Sequence, residues 1–189
     1  MRRNRGLVHE TETIRQDFMT FRNMEFKQLQ PEYDSALAEI IKDSLKENGL
    51  DIPGTAYYDE SLGCLSSYYR NPGRVYYVLL KKGIVIGGIG VAEFDGFPDC
   101  CELQKLYLRK AETGKGLSYE MIRHIEYAAK EMGYRRIYLE THTNLKAAMH
   151  VYEKAGYVLT ERSEAVVHGT MNRFYLKELQ YPEKEGDDE

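Results

Sequence analysis

The run Thr113-Gly114-Lys115-Gly116-Leu117-Ser118 carries the clearest chemical signal in the chain. Its two glycines let the backbone turn through positive φ and come close to a ligand. From there Leu117, Met121, Ile122, Ile125, Ala129 and Met132 recur at helical spacing, so a helix opens at the second glycine. The first turn of a helix has N–H groups with no partner inside it. Its dipole favours an exposed anion by about 0.3–1 kcal/mol. With Lys115 in the turn, the arrangement suits phosphate. Spacing excludes two common phosphate loops. A P-loop needs glycine where Arg109 stands and Ser or Thr where Gly116 stands. A dinucleotide fingerprint needs a third glycine where Tyr119 stands.

The elements around this turn alternate in type. Residues 24–29 read as a strand. Pro31 and Asp34 open a helix with Leu37, Ile40, Ile41 and Leu45 on one face, and Gly49 closes it. A second helix is expected over residues 59–70, ended by Asn71-Pro72-Gly73. Residues 75–80 and 84–94 form a hairpin about Lys81-Lys82-Gly83. A strand over 103–108 feeds the glycine turn and its helix. Then follow a strand (136–141), a helix (145–155) and two closing strands (157–159 and 172–176). The order β-α-α-β-β-β-α-β-α-β-β is that of an α/β layer fold. Residues 1–23 are a polar extension, 24–179 the domain, and 180–189 an acidic tail with the composition of a disordered segment.

Two segments together resemble the GNAT superfamily of N-acetyltransferases. Glu102-Leu103 through Leu106-Tyr107-Leu108, followed by Gly114-x-Gly116, resembles the strand and pyrophosphate turn of that family. Thr113 stands where the family prefers Arg or Gln, and Ser118 where it prefers Gly or Ala. Downstream, Ala148-Met-His-Val-Tyr152-Glu-Lys-Ala-Gly156-Tyr157 resembles the family's Ala-x-x-Leu-Tyr-Glu-Lys-x-Gly-Phe, with Leu145 where the family usually has Asn. The resemblance implies a mixed, mostly antiparallel central sheet flanked by helices. It also implies acetyl-CoA as cofactor and transfer of an acetyl group to an amine.

The same resemblance assigns roles. Leu106, Tyr107 and Leu108 would meet the pantetheine arm, and Thr113, Gly114, Lys115, Gly116, Leu117 and Ser118 the pyrophosphate of coenzyme A. Glu102 would be the base and Tyr152 the acid that protonates the sulfur. Glu140 is the competing carboxylate, and either of the two could hold a substrate ammonium rather than deprotonate it. Tyr57 and His168 are candidate substrate contacts. Glu102-Leu-Gln-Lys, Leu139-Glu-Thr and His168-Gly169 resemble a bacterial subgroup that includes amino-acid acetyltransferases, although the subgroup order is Gly-His. A small molecule or free amino acid is therefore the first acceptor class, and a peptide N-terminus or lysine the second. A reading of another class is a non-catalytic module that binds acyl-CoA. Dimerisation is carried by the resemblance alone.

Composition sets the outer limits. A net charge of −4 argues against a general nucleic-acid binder. The longest apolar run, residues 84–92, is too short to span a bilayer. Arg2, Arg3 and Arg5 precede no apolar segment of the kind a secretory signal needs. Cys64, Cys100 and Cys101 provide neither a disulfide framework nor metal-ligand spacing, and the five histidines lack the i, i+4 pairing of a zinc helix. The expectation is a metal-free cytoplasmic protein with reduced thiols. With 16 tyrosines and no tryptophan, a single tyrosine is more often packing than recognition.

Overall fold

The computed structural model describes residues 24–166 and 169–181. The polar extension, residues 182–189 of the acidic tail and His168 lie outside the described residues.

The strands are β1 (Met24–Gln28), β2 (Val75–Lys81), β3 (Ile84–Glu93), β4 (Cys100–Leu108), β5 (Arg136–Thr141), β6 (Val158–Thr160) and β7 (Arg173–Glu178). They form one seven-stranded sheet in the order β1-β2-β3-β4-β5-β7-β6. Every neighbouring pair is antiparallel except β4 and β5. The helices are α1 (Pro31–Glu47), the single turn α2 (Leu65–Tyr68), α3 (Leu117–Glu131) and α4 (Lys146–Lys154).

Alternation along the strands sends side chains to two cores, one on each face. From β2, Val75 and Leu79 join Leu117, Met121, Ile122 and Ile125 of α3. Tyr76, Val78 and Leu80 point the other way, onto Leu37, Ile40, Ile41 and Leu45 of α1. The α3 stripe ends one residue early, because Met132 follows the helix and is 37% exposed while Ala128 takes the buried place.

The second expected helix is the main departure from the sequence reading. Residues Glu60–Cys64 form a 3-10 turn, and only Leu65–Tyr68 are α-helical. Gly63 lies within the 3-10 turn, and Cys64 leaves helical geometry with φ −140° and ψ 37° before Asn71-Pro72-Gly73 ends the run. Asp34 of α1 holds this short segment in place. Its buried carboxylate accepts from the Ser66 N–H (2.9 Å) and the Ser66 hydroxyl (2.5 Å).

Two features shape the middle of the sheet. The strands β4 and β5 pair only at Cys100–Arg136, Cys101–Ile137 and Glu102–Tyr138, then part. Beyond that point the side of β4 facing β5 carries backbone groups outside the ladder. On the other side of β4 the register with β3 slips between Gly88 and Gly90, and Lys105 adopts φ +51°. This bulge is held from two strands away. The fully buried Tyr76 ring crosses β3, where a Cβ on Gly88 or Gly90 would collide with it, and its hydroxyl donates to the Lys105 carbonyl (2.7 Å).

Asp34→Ala strips two bonds from a buried, charge-assisted contact and strands the Ser66 donors, a loss of about 2–3 kcal/mol. At about 2–4 °C per kcal/mol for a chain of this size, thermal unfolding should shift down by roughly 4–12 °C. Asp34→Asn, which keeps one acceptor oxygen, should lose less. A melting curve for Asp34→Ala that overlays the wild type would show that α2 is docked by packing alone.

Candidate active site

The opening between β4 and β5 belongs to a cleft of about 1210 Å³ that runs from Glu102 and Glu140 to Gly116 and Ser118. Both faces of the sheet contribute to it. Asp43, Ser44 and Glu47 come from α1, Tyr58 and Asp59 from the turns after it, and His150, Val151 and Tyr152 from α4.

At one end, Glu102 and Glu140 face each other across the parting strands. Glu102 is in register with Tyr138, and Glu140 lies two residues further along β5, so both carboxylates point to the α1 face of the sheet. Burial pushes the Glu140 carboxyl up to about 7, and the Glu102 charge adds to this, while Arg162 opposes it. Glu102 accepts from the Gln104 amide (2.6 Å). One wall therefore holds a carboxylic acid that titrates near neutrality beside a carboxylate held by a donor.

Across the cleft, Tyr152 is buried within the core under α4, packed against Tyr157 and Tyr175. Burial, with a smaller contribution from Tyr107, raises its phenol well above the ordinary range, so it is neutral at physiological pH. Tyr152 lines the cleft, and no side chain of the described residues bonds its hydroxyl. Among the described residues it is a proton donor without an acceptor side chain.

At the far end, Gly114 and Gly116 take φ +74° and +80°, which favours glycine at both positions. Tyr119 N–H donates back to the Gly116 carbonyl (3.1 Å). The N–H groups of Leu117 and Ser118 lie ahead of that bond, in the first turn, where a helix leaves donors for a ligand.

The predicted site residues separate into groups. Glu102, Glu140, Tyr152, Leu106, Tyr107, Leu108, Thr113, Gly114, Gly116 and Ser118 all line the cleft. Leu117 points its side chain into the core under α3. Lys115 folds back over its own loop, donating to the Ala111 carbonyl (2.5 Å) and to Glu112 (3.0 Å). Glu112 draws it there and is itself held below the usual carboxylate range by Lys81 and Lys115. Tyr57 packs toward α1 beneath Lys42, and its neighbour Tyr58, 60% exposed, lines the cleft instead. The 3-10 turn Ala56–Tyr58 sets which ring faces inward, and residue type does not reveal it.

Sequence reasoning missed Asp43, Glu47, Asp59 and Met171, all in the lining. The three acids stood on polar faces and looked like solvated charge. Leu145 takes its place in the cleft wall, while Asn144 turns to the end of α1 and donates to the Asn48 carbonyl (3.0 Å). The cysteines are free, with Cys64 exposed and Cys100 and Cys101 buried. Among the described residues no helix is long and apolar enough to cross a membrane.

Known proteins share this architecture. The uncharacterized N-acetyltransferase YjgM of Escherichia coli (strain K12) is 40% identical over 124 residues, covering 65% of this chain and 74% of that protein. An acetyltransferase structure from Streptococcus agalactiae 2603, 21% identical, superposes with a TM-score of 0.73 over 84% of this chain and 100% of that one. The yncA structure from Salmonella typhimurium, solved with its cofactor acetyl-CoA, is 17% identical and has a TM-score of 0.67 over 88% of this chain and 99% of that one. The acetyltransferase (GNAT) family matches residues 35–157, and the chain belongs to that family.

Proposed function

We propose that the chain transfers the acetyl group of acetyl-CoA to the amine of a small molecule, with Glu140 as general base and Tyr152 as general acid. The observation that carries this reading is the placement of Glu140 and Tyr152 on opposite walls of one cleft that ends at the Gly114–Ser118 turn. Family membership and the acetyl-CoA held by a fold neighbour support the cofactor.

The residues fit acetyl-CoA. The cleft is continuous in its lining from the two carboxylates to the Gly114–Ser118 turn. The N–H groups at the start of α3 suit its pyrophosphate, and Leu106, Tyr107 and Leu108 lie beside the parted strands where a pantetheine arm could pair with the backbone. Bound there, acetyl-CoA supplies an activated thioester, so the protein needs no nucleophile of its own.

The protein's own groups handle the protons. An ammonium cannot attack a carbonyl. Glu140, ionised above about pH 7, accepts a proton from the amine. Glu102, fixed by Gln104, keeps negative charge beside the amine and favours its approach. Tyr152 holds a proton toward the departing sulfur. The carboxylates on the α1 face and the phenol among the α4 core residues divide the two transfers between the faces of the sheet. The sequence reading placed the base at Glu102. The raised carboxyl of Glu140 favours the exchange of roles, because a base works best with a pKa near the working pH.

Thiol release from acetyl-CoA across a panel of small amines, amino acids and peptides tests the reaction. Amine-dependent release supports it, and the absence of release with every acceptor would contradict it.

Glu140→Gln should lower kcat by about 10²-fold or more and remove the rise of kcat/KM centred near pH 7. It should also change stability. The folded carboxyl stays protonated up to about pH 7, whereas the unfolded one ionises near its model value of 4.5. The wild type therefore loses stability relative to Glu140→Gln as pH rises through that window, and the deficit is complete above it. Melting curves at pH 4 and pH 8 should bracket the change. An equal difference at both would contradict the raised carboxyl.

Tyr152→Phe keeps the ring and its packing. It should retain coenzyme A binding by calorimetry while kcat falls about 10-fold, since water can partly replace the phenol. Full kcat in the folded variant would remove Tyr152 from the chemistry.

A further inference from the structure

Behind Glu102 runs a polar chain whose other members the reaction does not use directly. The Tyr69 hydroxyl donates to Gln104 Oε1 (2.8 Å), and Gln104 Nε2 donates to Glu102 (2.6 Å). Tyr69 is buried, wedged edge-on against Tyr68 and tilted against Tyr76, with ring centroids 4.9 Å away in each case. It therefore has little freedom to move. The sheet leaves room for it. In register with Gln104 and Glu102, β3 presents Gly90 and Ala92, and the Tyr76 ring, against which Tyr69 is tilted, lies over Gly90.

A glutamine side chain can present either its oxygen or its nitrogen to a neighbour. Beside a carboxylate only the nitrogen is favourable, since the oxygen would add a second negative pole. With Nε2 turned to the Glu102 carboxylate, Oε1 is left facing Tyr69, and the fixed hydroxyl donates to it and anchors the amide in that orientation. We propose that Tyr69 is a positioning residue for the Glu102–Glu140 pair, acting through Gln104, whose amide it orients so that Glu102 stays ionised and aimed into the cleft.

The chemistry follows from charge. Two carboxylates in one site lose their protons in two coupled steps. The Gln104 donor stabilises ionised Glu102, so the first step belongs to a pair already biased toward one charge. The remaining proton is then harder to remove, in keeping with the raised Glu140 carboxyl. Burial also raises the Tyr69 phenol well above its ordinary range, with further contributions from Tyr76, Tyr68 and Glu102, so it keeps its proton for donation. Other groups sense the same pair. Cys100 and Cys101 on β4 and Tyr138 on β5 feel the Glu102 charge, and Arg162 after β6 offsets that of Glu140. Lys105 and Asp59 at the rim form their own ion pair (3.9 Å). None of them is part of the Tyr69–Gln104–Glu102 chain.

This inference rests on the proposed base but can be tested without turnover. Carboxyl titration by carbon NMR of ¹³C-glutamate-labelled protein, free of acetyl-CoA and amine, reads the pair directly. In Tyr69→Phe and in Gln104→Met, the lower of the two macroscopic pKa values should rise by about one unit. The double variant should rise no further than either single one, because both changes break the same chain. In the acetylation assay, the acidic limb of kcat/KM should shift in the single variants. An unmoved lower pKa in folded Tyr69→Phe, or additive shifts in the double variant, would overturn the proposal. If Tyr69→Phe fails to fold, the half-buried Gln104→Met decides alone: a lower pKa equal to that of the wild type overturns the chain. A protein inert toward every amine would contradict the acetyltransfer reading, yet the titration would still confirm or overturn the role of Tyr69.

Discussion

The whole site depends on the failure of β4 and β5 to stay paired. After three registered positions the two parallel strands part, and unladdered backbone lines an opening through the sheet. Unpaired backbone inside a protein is costly unless something takes up its hydrogen bonds. A sheet that maintains such a gap is arranged for an extended ligand able to supply the missing partners. The neighbouring elements serve this gap. The β3–β4 ladder slips at Gly88 and Gly90, Lys105 bulges, and Tyr76 reaches across the glycines to hold the bulge carbonyl. The glycines of β3 are thus small for a reason of packing. A side chain there would displace the ring that fixes the strand beside the cleft.

The gap also separates two chemistries. On the α1 face are Glu102, Glu140 and the acids of α1, of which Glu47 is paired with Lys110. On the α3 and α4 face are the helix N-terminus suited to phosphate and a buried, neutral phenol. A cofactor and an acceptor entering from opposite faces would meet where the strands divide. Burial then tunes each group. It raises the Glu140 carboxyl toward neutrality and keeps the Tyr152 phenol protonated, the states that the proposed base and acid require.

Much of this was legible in the chain of residues. The helical stripe of α1 and the period change at Leu117 gave those two helices nearly to their ends. The glycine turn and Tyr152 of the Tyr-Glu-Lys segment both line the cleft. What escaped was set by tertiary contact. The helix expected over 59–70 collapsed to a 3-10 turn and one α turn around Gly63, held by a carboxylate thirty-two residues away. A separate 3-10 turn, Ala56–Tyr58, put Tyr58 rather than Tyr57 in the cleft lining. Lys115 matched a phosphate ligand by position, but Glu112, three residues earlier and shared with Lys81, holds it against the loop. Charge near a site is readable from sequence. Which partner claims that charge is decided by packing.

A crystal structure of the chain with coenzyme A tests the central claim most directly. The account predicts that the pantetheine arm lies between β4 and β5 beside Leu106, Tyr107 and Leu108. The pyrophosphate should accept from the N–H groups that open α3, and the sulfur should lie within hydrogen-bonding reach of the Tyr152 hydroxyl. Coenzyme A bound outside the parted strands, or a sulfur on the far side of the cleft from Tyr152, would contradict it.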